Sequence, residues 1–120
     1  MRRARNSPLF LLREGCQKVG RYVRCTYNRA INYEWDEAKR KIHLAKHGVD
    51  FVDAAVVLQD TASMTIEDPD AVGEERWITL GMDWTLRVLL VVWTERGANC
   101  IRIISARKAS PLECQRYNGE

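Results

Sequence analysis

Apolar residues recur at helical spacing in the segment "YEWDEAKRKIHLAKHG", after a short extended lead-in at its start. Asp36 is a favourable N-cap, and Gly48 stands where a helix commonly ends in the left-handed conformation. Between them, Ala38, Ile42 and Ala45 form a thin apolar stripe. The pattern predicts a helix between Asp36 and Gly48.

A second helix is predicted immediately afterwards, in "VDFVDAAVVLQD". Asp50 can cap its first turn, and its apolar residues again recur at helical spacing: Phe51, Ala54, Ala55 and Leu58. The two predicted helices are joined by a tight turn at Gly48.

Strand patterns dominate the next fifty residues: "SMTIED", "EERWITLGMD", "LRVLLVVWTE" and "CIRIISARK". The third is almost wholly apolar, which is typical of a central strand, and short turns between the strands favour an antiparallel meander. Ser110 and Glu113 then form a capping box with Pro111 at the first helical position. The predicted fold is α+β, with two N-terminal helices, a four-stranded antiparallel sheet and a short C-terminal helix.

Charged residues are unevenly distributed along the chain. The net charge is +3, but residues 1–30 carry eight basic residues and one acidic residue, whereas residues 31–120 carry more acidic than basic residues. The apolar run "LFLL" is too short for a signal peptide. We expect residues 1–30 to be a basic extension, either disordered or absent from the natural product, and residues 31–120 to fold without it. We also expect a cytoplasmic protein without a membrane partner.

Four cysteines occur without a CxxC pair or zinc-finger spacing. The spacing argues against a disulfide framework and a structural zinc site. Reduced thiols are therefore expected.

Two arginines stand in the strongly β-prone segment "IRIISAR". Arg102 and Arg107 either contact phosphate or pair with acids on neighbouring strands, for which Glu74, Glu75 and Glu95 are the candidates. Strict alternation would place the two arginines on opposite faces of a flat strand. Both reach one cleft only if the strand bends or ends near residues 105–106.

Three blocks, "EWDEAKRKIHLAKHGVDFVDAA", "GEERWITLG" and "IRIISARKAS", resemble the BrnT family of toxins over about residues 33–118. The resemblance implies a RelE-like fold and a metal-independent endoribonuclease without cofactors that inhibits translation. It also implies an RNA substrate, a cognate ribbon-helix-helix antitoxin, and operator DNA bound only through that antitoxin. Residues 1–30 lie outside the family pattern.

On this resemblance, the candidate catalytic residues are Arg107, Arg102, His47 and Glu75. The arginines would stabilise charge on the phosphate, and His47 and Glu75 would transfer protons. The candidate RNA-binding residues are Lys46, Arg76, Lys108 and Tyr117.

Each of these residues also has a structural interpretation. His47 can cap a helix, Lys46 can be solvated, Glu75 and Arg76 can form a cross-strand pair, and Tyr117 can pack the last helix on the sheet. His43 and His47 share a helical face, but no third metal ligand is evident. The alternative function is a non-catalytic RNA- or protein-binding module of the same fold, which a growth assay would distinguish from a toxin.

Overall fold

The computed structural model describes residues 16–27 and 31–119. Over these residues the fold is α+β, with three helices and a seven-stranded mixed sheet in the order β1-β2-β3-β7-β6-β5-β4. The strands are β1 (Cys16–Val19), β2 (Tyr22–Tyr27), β3 (Ile31–Asp36), β4 (Met64–Glu67), β5 (Trp77–Met82), β6 (Val88–Glu95) and β7 (Cys100–Lys108). The helices are α1 (Glu37–His47), α2 (Phe51–Val57) and α3 (Pro111–Tyr117).

The predicted fold, with two N-terminal helices and a four-stranded antiparallel sheet, is wrong as a description of the whole, because three strands precede the first helix and join the sheet. The four expected strands exist as β4 to β7 and pair in antiparallel fashion. However, the lead-in to the first helix is itself a strand, β3, which pairs in parallel with β7 and makes the sheet mixed. Pairing with a strand distant in sequence gives no local pattern, which is why the lead-in was not recognised as a strand.

A hairpin formed by β1 and β2 continues the sheet beyond β3. It belongs to residues 1–30, the predicted basic extension, and residues 1–15 and 28–30 of that extension lie outside the described residues. Cys25 of the hairpin is fully buried in the main hydrophobic cluster. The domain boundary at residue 31 stays a prediction, but the described hairpin is paired with the domain.

Helix α1 begins and ends as predicted. The Asp36 carboxylate accepts hydrogen bonds from the N–H groups of Ala38 and Lys39, and Gly48 adopts φ 68°. The apolar stripe of Ala38, Ile42 and Ala45 does not form a buried face, because no residue of α1 is buried and Ile42 is 60% exposed. Instead, Arg40 joins this helix to the next by binding both Glu37 and Asp50.

Helix α2 supplies most of the helical contribution to the core. Phe51, Ala54, Ala55 and Val57 are fully buried in one cluster with residues of the central strands, among them Leu89, Val91, Ile103 and Ala106. The helix packs closely on β5, where a Cβ at Gly81 would lie 3.0 Å from a methyl group of Val57. Burial of this apolar surface is the main stabilising contribution to the fold.

The expectation of reduced thiols is wrong for Cys25, which is disulfide-bonded, whereas Cys100 and Cys114 are free. Within the described residues, no helix has the length and apolar character needed to cross a membrane.

Candidate nucleic-acid site

A β-bulge in β7 determines where the two arginines of "IRIISAR" lie. Ile103 pairs with Trp93 and Ser105 pairs with Val92, so Ile104 is an extra residue in β7. The bulge resets the alternation, so that Arg102 pairs with Thr94 and Arg107 with Leu90.

Thr94 and Leu90 are four residues apart on β6, so their partners Arg102 and Arg107 lie on one face of the sheet. This face is opposite to the one covered by α2, where Leu89 and Val91 are buried. At a rise of about 3.4 Å per residue, the two arginines are roughly 14 Å apart along the strands. They share a face but stand at its two ends.

Arg102 is held by groups on β2 and β3. Its Nε and Nη2 atoms both lie 2.6 Å from Oε2 of Glu34, which is only 2% exposed. Its guanidinium carbon lies 4.1 Å from the centre of the Tyr22 ring, a cation–π geometry, and Nη1 donates to the Tyr22 hydroxyl at 3.3 Å. These contacts fix the orientation of the guanidinium.

Glu34 serves two arginines, because its other oxygen, Oε1, accepts from Arg24 at 2.8 Å. Burial alone would raise the pKa of Glu34, but hydrogen bonds from Arg24, Arg102 and Cys100 lower it overall. Burial and the hydrogen bond to Glu34 raise the pKa of the Cys100 thiol to about 11. Glu34 is therefore a buried carboxylate that remains ionised, and the thiol beside it stays protonated.

A pocket opens beside Arg102, and we call it the basic pocket. Five basic side chains line it, Arg21, Lys39, Arg76, Arg96 and Arg102, with the acids Asp36 and Glu74 and the polar residues Tyr22 and Thr94. Its volume of about 140 Å³ is several times the roughly 30 Å³ that one water molecule occupies in the liquid. The excess of guanidinium and ammonium groups suits a phosphate-bearing ligand.

The pocket's acids are matched to particular arginines. Glu74 binds both Arg76, at 3.4 Å, and Arg96, at 3.3 Å. Asp36 binds Arg21 at 3.2 Å, and the Arg21 side chain is 72% exposed. These pairs are partly solvated and therefore weak, so an anion can compete for the same guanidiniums.

Arg107 lies outside the basic pocket and makes a bidentate ion pair. Nη1 and Nη2 lie 2.9 Å and 3.0 Å from the two oxygens of Glu113, which also completes the capping box of α3 with Ser110. The hydrogen bond from Arg107 is the main cause that lowers the pKa of Glu113 to about 2. Both arginines are thus paired, but with Glu34 and Glu113 rather than with the predicted acids Glu74, Glu75 and Glu95.

The other predicted site residues lie in different parts of the fold. Arg76 joins Arg102 in the basic pocket, and Glu75 is an exposed neighbour whose carbonyl accepts a 2.6 Å hydrogen bond from Thr94. Lys46, His47, Lys108 and Tyr117 do not line the pocket.

Of these four, Lys46 and Lys108 are exposed. His47 is half-buried in the last turn of α1, with its ring centre 5.5 Å from that of His43. The Tyr117 hydroxyl donates a short hydrogen bond to Asp60, which ties α3 to the body of the domain.

His43 has a more enclosed environment than His47. Burial lowers its pKa, and its Nδ1 atom is buried with no hydrogen-bond partner in the described part of the chain. Within residues 16–27 and 31–119, no group of three or more potential ligands is placed to hold a metal ion.

Several pocket residues were not among the predicted site residues: Arg21, Tyr22, Lys39, Arg96 and the buried Glu34 beside them. The high positive charge of residues 1–30 was the available signal for Arg21, but the segment was assigned outside the folded domain. Glu34 stands between two aromatic residues in "YEW", an alternation that is typical of a strand with one face in the core, so the pattern did not indicate that the acid itself is buried.

Comparison with known proteins agrees with this fold and chemistry. The family model for the ribonuclease toxin BrnT, of type II toxin–antitoxin systems, matches residues 35–113. The crystal structure of the Brucella abortus ribonuclease toxin BrnT is similar at 29% identity and a TM-score of 0.50, over 63% of this chain and 92% of that one. No curated protein matches the chain. Because the family model spans well over half of its length, the chain belongs to the BrnT family of ribonuclease toxins from type II toxin–antitoxin systems.

Proposed function

We propose that the protein is an endoribonuclease toxin that cleaves RNA without a metal ion, inhibits translation, and is neutralised in the cytoplasm by a cognate antitoxin. Membership of the BrnT family supports the ribonuclease and toxin assignments. The observation that carries the proposal is the basic pocket, which is lined by five basic side chains and two acids, with the buried Glu34 as a third acid behind Arg102. RNA phosphates are the abundant ligands that such a pocket fits.

Within this proposal, Arg102 and Arg76 bind the phosphate at which the strand is cut. Metal-independent cleavage requires removal of the 2′-hydroxyl proton, stabilisation of the phosphorane charge and protonation of the leaving 5′-oxygen. Guanidiniums perform the second task through paired N–H donors. Arg102 is suited to it because Glu34 and Tyr22 hold its orientation before substrate arrives.

Proton transfer is assigned to Glu75 and His47, with different support. Glu75 is exposed and lies between two pocket residues, Glu74 and Arg76, so it can act as the base. His47 does not line the pocket and would act on an RNA strand that extends beyond it. Lys46, Lys108 and Tyr117 would then contact the same strand outside the pocket, and Arg107 would hold a second phosphate.

A second candidate function is a non-catalytic binding module. The specific observation in its favour is that both arginines of "IRIISAR" already have carboxylate partners. For Arg107 the partner is on the surface, where an RNA phosphate can replace it. For Arg102 the partner is buried, so the arginine binds RNA while still paired.

We further propose that the antitoxin is of the ribbon-helix-helix type and brings the toxin to operator DNA. An acidic or amphipathic antitoxin segment that covers the basic pocket would exclude RNA from it. The charge of the pocket supports this mode of inhibition.

Induction of the protein alone in a bacterium tests the toxin assignment. We expect growth arrest with loss of intact RNA, and recovery when the antitoxin is co-expressed. Normal growth and intact RNA in cells that accumulate folded protein would favour the non-catalytic module.

A further inference from the structure

We infer that the β1–β2 hairpin, which precedes the region matched to the family, forms one wall of the RNA site and positions Arg102. The matched region begins at residue 35, whereas the hairpin ends at Tyr27. The inference rests on the proposed function, because it takes the basic pocket as the place where RNA binds. It adds a substrate-binding element that the family assignment does not include.

The turn of the hairpin is attached to the place where α1 begins. Gly20 adopts φ 62°, which permits the tight turn between the strands. The carbonyl of Arg21 accepts a 3.0 Å hydrogen bond from the N–H of Glu37, and Arg21 Nε lies 3.2 Å from the Asp36 carboxylate. Backbone and side chain together therefore place Arg21 at the rim of the basic pocket.

Two further hairpin residues act on Arg102. The Tyr22 ring lies beneath its guanidinium, and Arg24 shares the buried carboxylate of Glu34 with it. The hairpin therefore contributes the ring on which Arg102 stacks and one of the two guanidiniums that pair with Glu34. Tyr22 and Arg24 are positioning residues, because they act on RNA through Arg102.

Arg21 itself is suited to contact the ligand directly. Its side chain is 72% exposed, and among the described residues its Nε binds Asp36 and its Nη2 donates to the Tyr22 hydroxyl at 3.4 Å. Its other guanidinium N–H groups remain available to a phosphate oxygen. A single RNA strand that places one phosphate at Arg102 can place a neighbouring phosphate at Arg21, since both side chains line one pocket. The ligand class is single-stranded RNA, bound through its phosphates.

Salt-dependent binding of a short fluorescent RNA to the full-length chain tests the inference. The RNA carries 2′-O-methyl groups, so it lacks the nucleophile for cleavage and reports binding alone. Arg21→Gln is compared with Lys18→Gln, which removes the same charge from an exposed position on the same hairpin that does not line the pocket. Thermal melting of each variant confirms that it is folded.

Loss of one phosphate contact to a single strand makes the negative slope of log K against log salt less steep by about 0.7. Near 0.1 M salt this corresponds to about fivefold weaker binding of the RNA. We expect this change for Arg21→Gln and no change of slope for Lys18→Gln. Tyr22→Leu should also weaken binding, and Tyr22→Phe should restore most of it, because the ring remains beneath Arg102. If these substitutions acted only by destabilising the fold, the salt dependence of binding would not change in Arg21→Gln alone.

Equal slopes for Arg21→Gln and Lys18→Gln would overturn the inference. So would a result in which Arg21→Gln weakens binding of a poly-glutamate peptide but not of RNA, since the hairpin would then serve an acidic protein segment. Cleavage of unmodified RNA is measured in parallel. Absence of cleavage by the wild type, with the slope difference intact, would refute the ribonuclease and support the hairpin as an RNA-binding element.

Discussion

Glu34→Gln should destabilise the fold, because two guanidiniums then lose their shared counter-charge. Glu34 is 2% exposed and binds Arg24 and Arg102 through separate oxygens. Removal of one partner from a buried ion pair costs about 3–5 kcal/mol. Arg24 is 46% exposed and Arg102 is 24% exposed, so water can solvate part of the released charge. We therefore expect about 2–3 kcal/mol for this variant.

A loss of this size lowers the melting temperature by about 10 °C in a chain of this length, which differential scanning calorimetry resolves. Glu95→Gln is the matched control, because Glu95 is an exposed strand residue and the same substitution should leave melting unchanged within about 2 °C. The double variant Glu34→Gln/Arg102→Gln should recover part of the loss, since one uncompensated charge is removed. Equal melting of Glu34→Gln and Glu95→Gln would refute the role of Glu34 as the counter-charge.

Three further predictions concern Arg107, Glu113 and the hairpin. Arg107→Ala should weaken RNA binding by about fivefold near 0.1 M salt, the contribution of one phosphate contact, and Arg107→Lys should restore part of it; a lower melting temperature with unchanged RNA binding would make Arg107 a structural residue. The folded-state pKa of Glu113, about 2, is below its ordinary value of 4.5, so its stabilisation is present above pH 4.5 and is lost as the pH falls through 2. The melting difference between wild type and Glu113→Gln should shrink over that range, and a constant difference would contradict this. A chain that begins at Ile31 should melt at a lower temperature than the full chain, because it lacks Arg24 and the buried Cys25; equal melting would instead support the sequence-based boundary.

Local signals in the sequence were sufficient for the helices and for the antiparallel half of the sheet. The caps at Asp36, Asp50 and Ser110 were all confirmed, because a cap depends only on neighbouring residues. The strands β4 to β7 follow one another in the chain and pair with their sequence neighbours, so their patterns were also sufficient.

Long-range pairing was the part of the fold that local patterns did not reveal. The parallel pairing of β3 with β7 joins residues more than sixty positions apart, and the hairpin is recognisable as part of the sheet only through β3. The hydrophobic pattern likewise did not reveal how α1 is attached. The Arg40 ion pairs with Glu37 and Asp50 link it to the start of α2.

Two of the candidate site residues, Arg102 and Arg76, line the basic pocket. The sequence indicated that Arg102 and Arg107 reach one cleft only if the strand bends or ends near residues 105–106. A bulge at Ile104 places them on one face of the sheet, but Arg107 lies outside the basic pocket. A bulge has no sequence signature here, since Ile103 and Ile104 are chemically alike. The catalytic and RNA-binding roles of all eight residues stay predictions.

Single-turnover cleavage of RNA in excess chelator by Arg76→Gln tests the central claim most directly. Arg76 lines the basic pocket, and its ion pair among the residues that the structure describes is with the partly exposed Glu74, so its substitution should not unfold the protein. Arg116→Gln, which removes one exposed charge outside the pocket, is the control. The account predicts that wild type and Arg116→Gln cleave at similar rates with chelator present, and that Arg76→Gln is at least about tenfold slower, which corresponds to about 1.4 kcal/mol. Absence of wild-type cleavage in chelator, or equal rates for Arg76→Gln and Arg116→Gln, would contradict it.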